Sequence, residues 1–215
     1  MDDSQIKTLK SYYETYNDVI KPLIAVYEAR EQQFPTPIFN EIRAFNDHVS
    51  RCYLEDSNPD FINKQLKRAG RHISRIILDL YKYLIVSFDD TIKRFEKKTR
   101  NVDLSIISDG QFYVNFSGLR NNAINAIRTA KRLESSTSNG EDVIFAQFET
   151  GFNYYQETVE LIDSNFAQIN WAKTKSLLKR SFWFWAAIIS SILSWVLTDF
   201  LNSNLADKVW NWISK

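Results

Sequence analysis

FWFWAAIISSILSWVLT, residues 182–198, is the one long stretch of this chain without a charge, and the basic residues Lys173, Lys175, Lys179 and Arg180 lead into it. A helix rises ~1.5 Å per residue, so the stretch spans roughly 25 Å. The hydrocarbon of a bilayer is about 30 Å thick. Phe200 and Leu201 supply the missing length by taking in Asp199. Trp183 and Trp185 mark one end, while Trp195, Trp210 and Trp212 cluster toward the other, in the manner of an aromatic belt. Four Lys or Arg precede the stretch and only Lys208 and Lys215 follow it, which puts the preceding residues on the cytoplasmic side. The pattern predicts a helical body over 1–178, a membrane-spanning helix over 179–202 and a short amphipathic interfacial tail over 203–215. The competing reading of so short a run is a buried core helix.

The small and polar residues inside the stretch are ordered. Ala186, Ser190, Ser194 and Thr198 recur every four residues and line one stripe of a helix. Small residues at that spacing let membrane helices approach closely, and hydroxyls can bond across the contact. The stripe predicts a homo-oligomer, either a packed dimer or a ring whose polar stripe faces a water path. Asp199 reads as sitting at the membrane interface; the alternative, at membrane depth, has it facing a partner or a cavity.

The remaining composition narrows the class. Of 215 residues, 14% are aromatic and only five are Gly and four Pro, which favours long, well-packed helices. A net charge of +1 provides no global field selecting nucleic acid. Cys52 is the only cysteine, so no internal disulfide forms. The first residues, MDDSQIK, are acidic and polar and do not read as a secretory signal. Two histidines and one cysteine build no zinc site, and no phosphate-cradling Gly loop or nucleophile elbow is visible, so neither a metal nor a cofactor is expected.

The apolar spacing predicts an all-α bundle of about five long helices and no strand. The first covers Ser4 to Gln32, with Pro22 kinking it. Phe34-Pro35-Thr36-Pro37 stops and restarts the chain, with Thr36 as cap and Pro37 at the first helical position. The second covers Pro37 to Leu54 and the third Phe61 to Thr99. A break over Asn101 to Gly110 precedes the fourth, Phe112 to Leu133. After the loop Ser135 to Gly140, a fifth helix starts near Glu141 and continues without interruption into the apolar stretch.

The second helix reads NEIRAFNDHVSRC from Asn40 to Cys52, with Arg43 and His48 separated by four residues. Here the chain resembles the HEPN superfamily, all-helical domains whose hallmark is Arg, four to six residues, then His. Glu41, Ile42 and Asp47 strengthen the likeness, and Ala69, His72 and Arg75 on the next helix resemble a pattern of some members. The resemblance implies metal-independent RNA cleavage at a dimer cleft. Arg43 would hold the scissile phosphate and His48 would move a proton. This chain departs from the usual pattern in carrying Ala44, where a polar residue normally follows the Arg. Geometry offers a second reading. Residues five apart on a helix are about 140° out of phase, so Arg43 would pair with Asp47 and His48 would border the core.

The third helix carries a basic ridge, Lys64, Lys67, Arg68, Arg71 and Arg75, at spacings of three and four. Such a ridge can track a phosphate backbone or meet anionic lipid. It can equally be a solvated face, with Arg75 paired to Asp79. A HEPN-like body on a membrane helix is similar in type to the membrane-bound HEPN-like accessory proteins of RNA-targeting (type VI-B) CRISPR systems, from which it differs in carrying its anchor after the body. That resemblance implies a bacterial antiviral effector with its body on the cytoplasmic side of the inner membrane. Its partners would be the membrane, further copies of itself, and RNA or an RNA-guided defence complex. A membrane-tethered ribonuclease and a non-catalytic recruitment module are the alternatives.

Overall fold

The computed structural model describes residues 1–54, 58–135, 141–202 and 204–214. Among these the chain is entirely helical, without a strand. The elements are α1 (Asp3–Thr15), a π-helical turn (Tyr16–Ile20), α2 (Lys21–Glu31), α3 (Thr36–Leu54), α4 (Pro59–Thr99), two 3-10 turns (Leu104–Ile106 and Ser108–Gly110), α5 (Gln111–Ser135), α6 (Glu141–Ser164), α7 (Phe166–Asn202) and α8 (Asn204–Ile213). The count of five long helices is loose because the first and last predicted helices are both divided.

Each division has a local cause. Pro22 has no N–H to donate and its ring crowds the preceding turn. The helix widens ahead of it, and the Lys21 N–H reaches Tyr16 O, five residues back. The later division corrects the uninterrupted fifth helix. Asn165 separates α6 from α7, and its side-chain amide donates to Leu161 O at 2.9 Å. An Asn that bonds its own backbone competes with the helical ladder and favours a break. The α3 start is corrected by one residue. Pro35 O accepts the N–H groups of Ile38 and Phe39, so Pro35 occupies the cap position and Thr36 is already helical.

α4 is the spine. Asn58 caps it by accepting the Asp60 N–H at 2.9 Å, and Pro59 begins it. Its 41 residues contain one glycine and no further proline, so nothing inside stops it. Ile62, Leu66, Ala69, Ile73, Ile76, Leu80, Leu84, Phe88 and Ile92 bury one stripe at spacings of three and four. α1, α2 and α3 pack on this stripe from one side and α6 from the other, and α5 packs on α6. Fully burying each such aliphatic side chain contributes roughly 1.5–3 kcal/mol. Gly151 lets α5 approach α6: a Cβ there would lie 2.3 Å from Ile127 Cδ1.

Polar pins tie the layers. Arg30 of α2 donates to Ser87 Oγ at 3.0 Å and Thr91 Oγ1 at 2.9 Å, and stacks 3.8 Å above Phe88. Arg120 of α5 reaches Asp89 of α4 at 2.6 Å and Tyr155 of α6 at 3.2 Å. Burial alone would raise the Asp89 carboxyl, but the Lys93 hydrogen bond and the Arg120 charge hold it below its ordinary value of 3.8. A carboxylate with a lowered folded value adds stability above the unfolded value and loses it as pH falls through the folded one. In thermal melts the wild type should therefore exceed Asp89→Asn at neutral pH, with the gap closing in acid. A gap unchanged at every pH would contradict this. Arg120→Ala leaves Asp89 without its inner partner and should cost about 2 kcal/mol in denaturant unfolding.

α7 holds both a stem and an exposed half. Ile169 and Ala172 are buried against the body. From Phe182 onward the helix is almost wholly exposed, including Trp183, Trp185, Ile189, Leu193 and Leu197. One 18-residue window of the Phe166–Phe200 stretch is apolar enough to cross a membrane and is 0% buried. The body therefore does not use it as a core helix. At 37 residues, α7 extends roughly 55 Å, longer than the hydrocarbon alone requires. α8 follows, with Val209, Trp210, Trp212 and Ile213 exposed.

Candidate functional site

The two histidines meet between α3 and α4. Their rings stack with centroids 5.3 Å apart and an interplanar angle of 24°. α3 and α4 run antiparallel, and each contributes two polar residues seven apart, two helical turns: Glu41 and His48 on α3, Gln65 and His72 on α4. Each histidine crosses to the opposite helix. His48 Nδ1 lies 2.7 Å from Gln65 Oε1, and His72 Nδ1 lies 2.6 Å from Glu41 Oε2. Both acceptors are oxygens, which sets Nδ1 as the donor and leaves Nε2 as the free nitrogen of each ring. Gln65 is buried and Glu41 half-buried, so the two orienting groups are themselves held in place.

Three cations of the ridge complete the cleft. Arg68, Arg71 and Arg75 line it with His48 and His72, around a volume of about 250 Å³. No carboxylate lines it, and among the described residues none of the three guanidiniums closes an ion pair, although Glu41 sits behind His72 and Asp79 feels the Arg75 charge. Clustered cations repel one another, and an anion bound among them offsets that repulsion. Arg71 and Arg75 also line an adjoining groove of about 330 Å³ with Ser74, Leu78, Glu134, Ile144 and Phe145. Arg71 and Arg75 thus stand between the imidazoles of one cavity and the Leu78, Ile144 and Phe145 side chains of the other, where Glu134 also lies. That chemistry suits a phosphodiester carrying an aromatic base.

Not every predicted site residue converges here. Arg43 is exposed on the face of α3 turned away from buried Phe45, and it does not line the cleft. Within one chain, Arg43 and His48 are not brought to a common site. The predicted Arg43–Asp47 pair does not form either, because Asp47 binds Arg51 at 2.8 Å. Arg75 faces the cleft without closing an ion pair on Asp79. Burial raises the Asp79 carboxyl against the charges of Lys82 and Arg75. Lys64 and Lys67 are exposed and lie outside the cleft. Spacing aligned Glu41 with His48, but the structure gives Glu41 to His72, and Gln65 is the orienting residue that sequence reasoning missed. Its signal was the matching seven-residue interval from Gln65 to His72 on α4.

The stripe Ala186, Ser190, Ser194 and Thr198 lies on the exposed half of α7, with Ala186 half-buried. Thr198 Oγ1 donates to Ser194 O at 2.8 Å and Ser191 Oγ to Ala187 O at 2.9 Å, so those hydroxyls are satisfied within their own helix. Among the described residues, no group of three His, Cys, Asp or Glu side chains gathers to hold a metal ion. In comparison with known proteins, no family model, curated protein or solved structure matches the chain.

Proposed function

We propose that this chain is a membrane-anchored, HEPN-like effector of bacterial antiviral defence. Its body, residues 1–178, faces the cytoplasm, residues 179–202 cross the inner membrane, and the tail from 203 lies in the interface. Copies associate through the stripe at Ala186, Ser190, Ser194 and Thr198, and the assembly perturbs the bilayer when the body receives its signal. The observation that carries the anchor is the exposed apolar half of α7, which no part of the body covers. Leaving such a surface in water is unfavourable by about 25 cal/mol per Å². Its direct continuity with a stem packed on the body supports mechanical coupling between signal and membrane.

The arginine and histidine cleft supports RNA as the signal. Phosphates would sit among Arg68, Arg71 and Arg75, and a base would rest on the apolar wall near Phe145. A second reading, a tethered metal-independent ribonuclease, rests on the two oriented imidazoles beside those cations. One Nε2 would accept a proton while the other ring donates one. That reading assigns the phosphate to the ridge and gives Arg43 no part within the chain. The effector reading is tested by dye entry into cells expressing the full chain. Wild type should admit a membrane-impermeant dye, and Ser190→Leu with Ser194→Leu and Thr198→Leu should abolish entry while the protein stays in the membrane fraction. Entry that persists in the triple variant would overturn assembly through the stripe.

A further inference from the structure

A third basic groove lies where the body meets the anchor. Lys97, Lys98, Asn101 and Val102 from the end of α4 line it with Lys173, Ser176, Leu177 and Arg180 of the α7 stem, around about 270 Å³. A long-range contact holds its walls together: the Asp103 N–H, next to Val102, donates to Ser176 Oγ at 3.1 Å. The groove is thus built by tertiary structure, between residues more than seventy apart in sequence.

Four cations line it and no carboxylate does. Among the described residues none of the four closes an ion pair. The nearby acid, Asp103, is engaged by the Ser105 hydroxyl and N–H, and the charge of Lys179, at the edge of the groove, helps hold it ionised. Depth supplies the second argument. Lys173, Ser176, Leu177 and Arg180 share one face of α7, and Arg180 lies two residues before the apolar run. At ~1.5 Å per residue the groove runs from about 3 Å (Arg180) to about 14 Å (Lys173) from the start of that run, so its Arg180 end lies within a headgroup layer about 5–8 Å deep and its Lys173 end reaches the water beyond. Leu177 and Val102 supply an apolar floor beside the cations.

We infer that this groove is a binding site for the phosphate headgroup of an anionic phospholipid, clamped between α4 and the α7 stem. The inference rests on the membrane reading of α7. A lipid held there would tie the end of the spine helix, which carries the RNA-facing ridge, to the bilayer surface.

The test uses the full chain reconstituted into nanodiscs of phosphatidylcholine alone or of equimolar phosphatidylcholine and phosphatidylglycerol, with lysine acylation read by mass spectrometry. Phosphatidylglycerol should protect Lys97, Lys98 and Lys173 about fivefold, in keeping with the attraction of clustered cations for anionic lipid. Lys175, at the same height on the other side of the stem, should gain much less. Lipid recovered from the purified chain should be enriched in phosphatidylglycerol, and Lys97→Gln with Lys98→Gln and Lys173→Gln should lose that enrichment. Equal protection of Lys175 would mean surface charge only and overturn the site. Equal protection by inorganic phosphate added to phosphatidylcholine discs would overturn the lipid assignment. Insertion into both discs with no difference in labelling would overturn the groove while the anchor stands. Failure to enter either disc would overturn the anchor and the groove with it.

Discussion

Ile189→Arg with Leu193→Arg should move the full-length chain from the membrane pellet into the supernatant after alkaline extraction. Both side chains are more than half exposed and belong to the helical half that the body leaves uncovered. Each arginine near the middle of a spanning helix costs about 2.5–3.5 kcal/mol on insertion scales. Two together shift the partition by roughly four orders of magnitude. Ile189→Ala with Leu193→Ala keeps the run uncharged and should remain in the pellet. Because neither position touches the body, the double arginine variant should unfold like the wild type, which separates loss of the anchor from loss of the fold. A double arginine chain that still resists alkaline extraction would overturn the membrane assignment.

Arg71→Glu with Arg75→Glu should weaken binding of a single-stranded RNA oligomer about a hundredfold in fluorescence anisotropy, from the loss of two charge-assisted contacts worth about 1.5–3 kcal/mol each. The two residues line both the histidine cleft and the adjoining groove, so one double variant disables both. Both are exposed, and charge reversal there leaves the buried stripe of α4 intact. The salt dependence should flatten by about two counterions. Arg43→Ala should bind as the wild type does, because that residue lies outside the cleft. His48→Gln should retain binding and remove any metal-independent cleavage that the wild type shows. Binding unaffected by the double reversal would remove RNA from the proposal. Loss of binding with Arg43→Ala would instead point to a surface formed between two chains.

Much of the body was legible because local rules agreed with the tertiary outcome. The apolar spacing of Ile62, Leu66, Ile73, Ile76 and Leu80 marked the buried stripe of α4, whose start lies at Pro59, two residues ahead of the expected Phe61. The breaks inside longer helices were harder to place. Pro22 announced a distortion, but the form it takes, a widened turn ahead of α2, depends on how α1 and α2 both stay packed on α4. Asn165 gave only a weak local signal, since an Asn inside a helical pattern more often faces solvent than ends the helix.

The candidate site divides in the same way. The family resemblance grouped Arg43 with His48, helical spacing already set them on different faces, and the fold places His48 with residues of the next helix. Sequence alone determined the helical class, the basic ridge and the apolar run with its cationic approach, because each depends on periodicity or composition within one segment. Tertiary structure decided which ridge residues meet the histidines, that Glu41 and Gln65 orient them, that Lys97 and Lys98 join Lys173 and Arg180, and that the apolar half of α7 stays outside the core. The physical reason is that those facts depend on the antiparallel register and packing of separate helices, which long-range burial sets and no local pattern records.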